Sequence, residues 1–185
     1  MKFLIFLLII FITLSSPIKA DSKKNLINKL KEGNKLIFIR HAYAPGRGDP
    51  VNFTIDDCLT QRNLSNIGRL QAKEIGIFFK KNNILFKSVF SSEWCRCKET
   101  ALIAFKSFET KIFLNSFFSQ NFIKKKKYQV KNLKDFVKKN KDDQNLIFVT
   151  HYVVIEEVLD YTASSGEIVI SNRDFKVIDT FKIKY

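Results

Sequence analysis

A chain of 185 residues makes one ordinary domain plus whatever is removed from its ends. Its formal charge of +14 draws it to anions, but 26 of the 32 basic residues are lysines spread among asparagine, isoleucine and phenylalanine. That is a compositional habit more than a nucleic-acid surface, so no nucleic-acid partner is expected. Three scattered cysteines with only two histidines are a poor metal set, and no metal or other cofactor is expected.

The chain opens with Lys2, an almost wholly apolar run from Phe3 to Leu14, a break at Ser15-Ser16-Pro17, and then Ile18-Lys19-Ala20. This is the layout of a secretory signal peptide. An uncleaved anchor is the alternative, but about a dozen apolar residues is short of the roughly 20 needed to span a bilayer. Residues 1–20 are therefore expected to be removed, leaving a domain over 21–185 with formal charge +12 and no stable membrane span. It would be periplasmic or secreted. In such a compartment Cys58, Cys95 and Cys97 allow one disulfide and one free thiol. Cys95 and Cys97 are too close to pair easily within a helix, so Cys58 is expected to bond one of them.

Asp21 to Asn34 has Leu26, Ile27 and Leu30 at helical spacing and leads into Leu36-Ile37-Phe38-Ile39, a short strand buried on both faces. That strand stops on Arg40-His41. Ala44 to Thr60 is a long loop rich in glycine, proline and aspartate, of the kind that is usually functional. Ser65 caps a helix whose apolar stripe is Ile67, Leu70, Ile75, Phe78 and Phe79. Phe86 to Phe90 is the second strand, and Ser92 caps the helix from Glu93 to about Lys106. Lys111 to Leu114 reads as a third strand, Asn115 to Lys127 as irregular, and Val130, Leu133, Phe136 and Val137 as the apolar face of another helix. The block Lys124-Lys125-Lys126-Lys127 reads as a solvated loop or helix lead-in. Asn145 to Val149 is the fourth strand, a helix starts at Thr150-His151, and Glu167 to Ser171 with Phe175 to Lys184 forms a closing hairpin. The alternation implies a three-layer α/β/α sandwich with a mostly parallel sheet and an antiparallel edge.

Leu146-Ile147-Phe148-Val149-Thr150-His151 nearly copies the strand that ends at His41. If the two are parallel strands of one sheet, both histidines lie at its carboxyl edge, where open α/β sheets bind ligands. An imidazole nitrogen is a competent nucleophile toward phosphorus. Guanidinium groups suit the charge that spreads over phosphoryl oxygens in the transition state. Five of six arginines fall between 40 and 96, and Arg40, Arg96, Arg47 and Arg62 are the candidate phosphate contacts.

These residues carry a resemblance. Ile39-Arg40-His41-Ala42 resembles the RHG signature of the histidine phosphatase (phosphoglycerate-mutase-like) superfamily. Gln61-Arg62-Asn63-Leu64-Ser65-Asn66-Ile67-Gly68-Arg69-Leu70-Gln71-Ala72 resembles its LS-x-x-G-x-x-Q-A helix start. Ser91-Ser92-Glu93-Trp94-Cys95-Arg96-Cys97-Lys98-Glu99-Thr100-Ala101 is similar to its S-S-x-x-x-R-x-x-E-T-A segment, and Val149-Thr150-His151 to its second-histidine strand. Ser164 to Val169 resembles the close of a small exported branch. The resemblance covers nearly all of 36–171 and implies a histidine-phosphatase-like fold without metal. It implies His41 as nucleophile, Arg40 and Arg96 as phosphate clamps, and His151 as the second phosphate-pocket histidine.

The implied activity is hydrolysis of a small phosphorylated substrate through a phosphohistidine. The alternatives are a phosphomutase of the same fold or a catalytically weak phosphate- or polyanion-binding module. The family's proton donor is commonly an acid after the third strand, and here Asn115 to Asn121 holds no carboxylate. Asp57 and Asp49 in the long loop are the expected donors, with Glu93 next and Asp56 the remaining candidate.

Overall fold

The computed structural model describes residues 18–184 except residue 142, and residues 1–17, most of the expected signal segment, lie outside the described residues. Six strands form one sheet: β1 (Leu36–Arg40), β2 (Phe86–Ser91), β3 (Glu109–Thr110), β4 (Asn145–Thr150), β5 (Ile168–Ser171) and β6 (Val177–Phe181). Their spatial order is β3-β2-β4-β1-β5-β6. The first four strands run parallel, and β5 and β6 add antiparallel at the other edge.

Period-two alternation sends the two faces of β1 to different cores. Ile37 and Ile39 pack with Ile147, Val149, Ile168 and Ile170 under α1 (Ile18–Lys31), α2 (Asn66–Lys81) and α3 (Cys95–Phe105). Leu36 and Phe38 pack with Leu146, Phe148 and Val169 under α5 (Lys126–Lys139) and α6 (Tyr152–Leu159). A short α4 (Gln120–Ile123) precedes α5. Fully buried strands flanked by helices on both faces make the three-layer α/β/α sandwich that the alternation of elements implies. Among the described residues no helix is long and apolar enough to cross a membrane.

Three local expectations are corrected. Lys111 to Leu114 is not a strand: Ile112–Leu114 is a turn of 3₁₀ helix, and the edge pairing falls to Glu109–Thr110. The 3₁₀ turn directs Leu114 into the α5–α6 core, where it is fully buried. The stripe of α2 is rotated from the expected one. Ile67 and Leu70 are exposed, while Gly68, Gln71, Ala72, Ile75, Phe78 and Phe79 face inward. Finally, α3 begins at Cys95 with Trp94 as its N-cap and no side-chain cap, so Ser92 is released for another task.

The rotation of α2 has a cause. Ser65 accepts a bond from the Gly68 amide as the expected cap. A Cβ on Gly68 would lie 2.0 Å from the Tyr43 carbonyl oxygen, so only glycine lets the loop after His41 sit on this helix. One turn on, Gln71 accepts from the Tyr43 amide and donates to the Ser165 carbonyl. The helix therefore faces two loops as well as the core.

Phe148 stacks between Phe38 at 5.0 Å and Phe90 at 5.7 Å, with Phe136 edge-on. Phe148→Ala should cost about 3–5 kcal/mol, as for other fully buried aromatics. Urea or guanidinium unfolding of the two proteins would check it, and a loss below about 1 kcal/mol would contradict this packing.

Candidate active site

In the β1–β4 ladder Arg40 faces Thr150, so His41 and His151 are the next residues on adjacent parallel strands. The His41 amide donates to the Thr150 carbonyl, and the two rings meet edge-on with centroids 5.4 Å apart. Arg96 enters from the first turn of α3, where Thr100 bonds the Arg96 carbonyl and accepts from the Ala42 amide. Its guanidinium reaches both rings. Nε lies 3.2 Å from His41 Nε2, and Nη2 lies 3.4 Å from His151 Nδ1.

Because a guanidinium only donates, those contacts assign the imidazole protons. His41 Nδ1 donates to the Ala42 carbonyl at 2.8 Å, and the Nε2 lone pair accepts from Arg96 Nε. His151 Nε2 donates to Ser92 Oγ at 2.9 Å, and the Ser92 hydroxyl donates to Asn115 Oδ1. The free thiol of Cys97 is 3.5 Å from the same nitrogen, and burial pushes its pKa up to about 12, so it stays protonated. Burial, then the Arg96 charge, hold both imidazoles well below their ordinary pKa. His41 is thus a neutral imidazole of fixed orientation at pH 7.

These groups floor a cavity of about 560 Å³. Arg40, Arg47, Arg62 and Arg96 all line it. Arg40 donates to the Ala163 carbonyl and lies over the Tyr152 ring, and its buried Nε has no hydrogen-bond partner among the described residues. Arg62 bonds the Gly48 and Ala44 carbonyls and so braces the loop, whereas Arg47 is exposed at the rim. Phe53, Trp94, Phe118, Phe122 and Tyr152 make the walls.

The three leading acid candidates part company. Asp57 is exposed, away from the cavity, and caps a 3₁₀ turn through the Leu59 amide. Glu93 accepts from the Asn115 amide group and does not line the cavity. Asp49 is the sole carboxylate among the described lining residues. Its two oxygens sit in the Arg96 fork at 2.7 and 3.2 Å, and Trp94 Nε1 and the Arg62 amide also donate to it. Burial raises the Asp49 pKa, but the Arg96 bonds and charge outweigh it and leave the carboxyl below its ordinary value.

Cys58 and Cys95 are joined in a disulfide, which fastens the loop bearing Asp49 to the start of α3. Gln61 adds a second fastening, accepting from the Cys95 amide and donating to Thr54 and Ile55 carbonyls. Among the described residues no three histidine, cysteine or acidic side chains cluster as a metal site. The roles of Ser92, Asn115, Gln61 and Thr100 were not foreseen from sequence. Ser92 and Thr100 lie inside the arginine-bearing motif, which was the available signal, and Gln61 heads the stretch that leads into the Ser65 cap, while Asn115 acts from a loop that carries none.

No family model and no curated protein sequence matches the chain. Solved structures do. It is similar to the protein histidine phosphatase SixA complexed with tungstate, at 12% identity and TM-score 0.53, over 80% of this chain and 96% of that one. It is also similar to a candidate phosphohistidine phosphatase SixA from Agrobacterium tumefaciens, at 14% identity and TM-score 0.57, over 82% and 99% of the two chains. A candidate alpha-ribazole-5'-P phosphatase from Escherichia coli K-12 gives 14% identity and TM-score 0.58, over 80% and 94%. At such identities the likeness is one of fold, and the fold is the histidine-phosphatase-like one.

The buried neutral histidines make stability depend on pH. The unfolded chain takes up protons near pH 6.5 that the folded chain refuses, so this stability is whole above about 6.5 and is lost as pH falls toward the lowered folded values. Each histidine adds a slope of up to about 1.4 kcal/mol per pH unit. Denaturant unfolding between pH 5 and 7.5 should show it, and a variant with His41→Asn and His151→Asn should have a flatter profile. Equal profiles would contradict neutral burial.

Proposed function

We propose that this chain is an exported phosphatase that hydrolyses a small phosphomonoester through a phosphohistidine at His41. The observation that carries the reading is the single guanidinium of Arg96 touching both imidazoles at the floor of an arginine-lined cavity. The names of the solved structures of like fold agree with it.

His41 Nε2 attacks phosphorus with its lone pair, and the bond from phosphorus to the leaving oxygen breaks. Arg40, with its unpaired Nε, and Arg96 face the developing charge on the phosphoryl oxygens, and His151 supports it from the sister strand. A phosphoryl group entering the Arg96 fork displaces Asp49. Once released, that carboxyl loses the partner that keeps it ionised, takes a proton, and can deliver it to the departing oxygen. Water then attacks phosphorus, passing a proton to the Asp49 carboxylate left by the first step, the P–N bond breaks, and inorganic phosphate leaves with the imidazole restored. A second reading follows from the same ion pair: if Asp49 stays in the fork, the site favours leaving groups that need no proton, such as aryl oxygens or phosphorylated nitrogen.

Turnover of an aryl and an alkyl phosphate tests this. His41→Ala should abolish turnover and covalent labelling, with the label in wild type on His41 after a quench that avoids acid. Arg96→Lys should weaken phosphate binding because the bidentate fork is lost. Asp49→Asn should cost roughly 10²–10⁴ on the alkyl ester and much less on the aryl one. Full activity in His41→Ala, or label on another residue, overturns the mechanism.

Export is supported by the signal layout of residues 1–20 and by the Cys58–Cys95 bond, which suits an oxidising compartment. Intact-mass measurement and non-reducing peptide mapping of native protein should find a chain beginning near Asp21, with Cys58 joined to Cys95 and Cys97 free. A full-length chain with three free thiols would count against it.

A further inference from the structure

The arginines gather at the cavity, but the lysines have a pattern of their own. Nine of the 26 fall between residues 124 and 141. Lys127, Lys131, Lys134 and Lys138 follow one another at steps of four, three and four along α5. Lys124 and Lys141 continue the spacing beyond the helix ends, and all six are exposed. Such steps align on one helical face, so the stripe runs about 20 Å along the surface. The opposite face of α5 buries Gln129, Leu133 and Val137.

Acids near the stripe are few. Asp135 pairs with Lys131, Glu157 with Lys126, and Asp143 and Asp174 stand by the groove that Lys134, Lys138, Lys141 and Arg173 line at the far end. Exposed ion pairs of this kind hold charge only loosely.

At its near end the stripe meets apolar surface. Ile123 and Tyr128 are 53% and 67% exposed, and Phe118 is 48% exposed at the cavity wall. Phe122 lines the cavity and is followed directly by Ile123 and Lys124. One continuous segment therefore walls the cavity and begins the basic stripe.

We propose that the lysine face of α5, led by Ile123 and Tyr128, docks on an anionic lipid surface and brings the cavity mouth against it. Lysines on long stems are attracted to a diffuse layer of headgroup charge without needing the fork geometry that arginine offers a single phosphate. An exposed isoleucine beside them has no use along a nucleic-acid backbone, but it can bury at the boundary between headgroups and acyl chains. The docking does not depend on turnover, so it stands or falls apart from the phosphatase reading.

The test is co-sedimentation of the full chain with phosphatidylcholine vesicles, with and without phosphatidylglycerol. The difference between the two vesicle types isolates charge from any contribution of the apolar N-terminal sequence. The variant Lys127→Gln, Lys131→Gln, Lys134→Gln, Lys138→Gln is compared with Lys73→Gln, Lys80→Gln, Lys81→Gln, Lys106→Gln, which removes the same charge from exposed sites elsewhere. Wild type and the second variant should bind phosphatidylglycerol vesicles in a salt-sensitive way, and the first should bind about tenfold or more weakly. If the fourfold stripe variant does not fold, Lys131→Gln with Lys138→Gln serves, with a loss of about threefold expected. Equal losses in stripe and control variants would reduce the effect to net charge and overturn the proposal. So would wild type that ignores phosphatidylglycerol, or that binds a single-stranded oligonucleotide through the stripe while leaving vesicles alone.

Discussion

The parallel pairing of β1 with β4 is the constraint on which the rest depends. Because side chains alternate along a strand and both faces of β1 are buried, a slip of one residue would send each of its core residues to the opposite core and shift the two histidines out of step. The match of Leu36, Ile37, Phe38 and Ile39 to Leu146, Ile147, Phe148 and Val149 makes any other register costly on both faces at once. The same apolar burial that stabilises the sheet thereby sets the separation of the imidazoles. Chemistry at the strand ends inherits its precision from the core.

The second problem this fold solves is electrostatic. Four arginines around one cavity repel each other, and two imidazolium rings among them would be untenable. Burial keeps the rings neutral, the Asp49 carboxylate partly offsets the guanidinium charge, and Arg62 is bound into backbone carbonyls of the loop. The neutrality also gives a direction to every hydrogen bond. Arg96 must donate to His41 Nε2, so that nitrogen carries the lone pair. Ser92 and Asn115 complete the chain behind His151 in the same sense.

Much of this was legible in the sequence because it rests on short, strongly patterned runs. The twin apolar strands, the capping serine at Ser65 and the arginine in the first turn of α3 are local signals. What escaped was set by tertiary demand. Ile67 and Leu70 look like core residues, yet the helix turns so that Gly68 and Gln71 can meet the Tyr43 backbone. Lys111 to Leu114 has strand composition, yet the chain curls to bury Leu114. Ser92 looks like a cap, but the helix starts after it and the hydroxyl serves His151. Asp57 and Asp49 are alike as loop acids by sequence, and only the path of the loop decides which enters the cavity.

The contact of Gly68 and Gln71 with Tyr43 divides the loop after His41 into two parts of different character. His41 is bonded to Thr150 of β4, Ala42 to Thr100 of α3 and Tyr43 to Gln71 of α2, so no insertion or deletion can be accommodated there without unseating His41. The arm that follows, up to the anchor at Cys58, is held at its ends, by Asp49 and Arg62, and by the bonds from Gln61 to the Thr54 and Ile55 carbonyls, and its tip at Val51 is almost fully exposed. Lineages of this fold could therefore lengthen, shorten or rewrite the tip of that arm around Val51 while His41, His151 and Arg96 stay where they are. Diversification of the cavity wall would then proceed by exchanging one tethered segment, a modularity that a designer could borrow by grafting arms between the same two anchors.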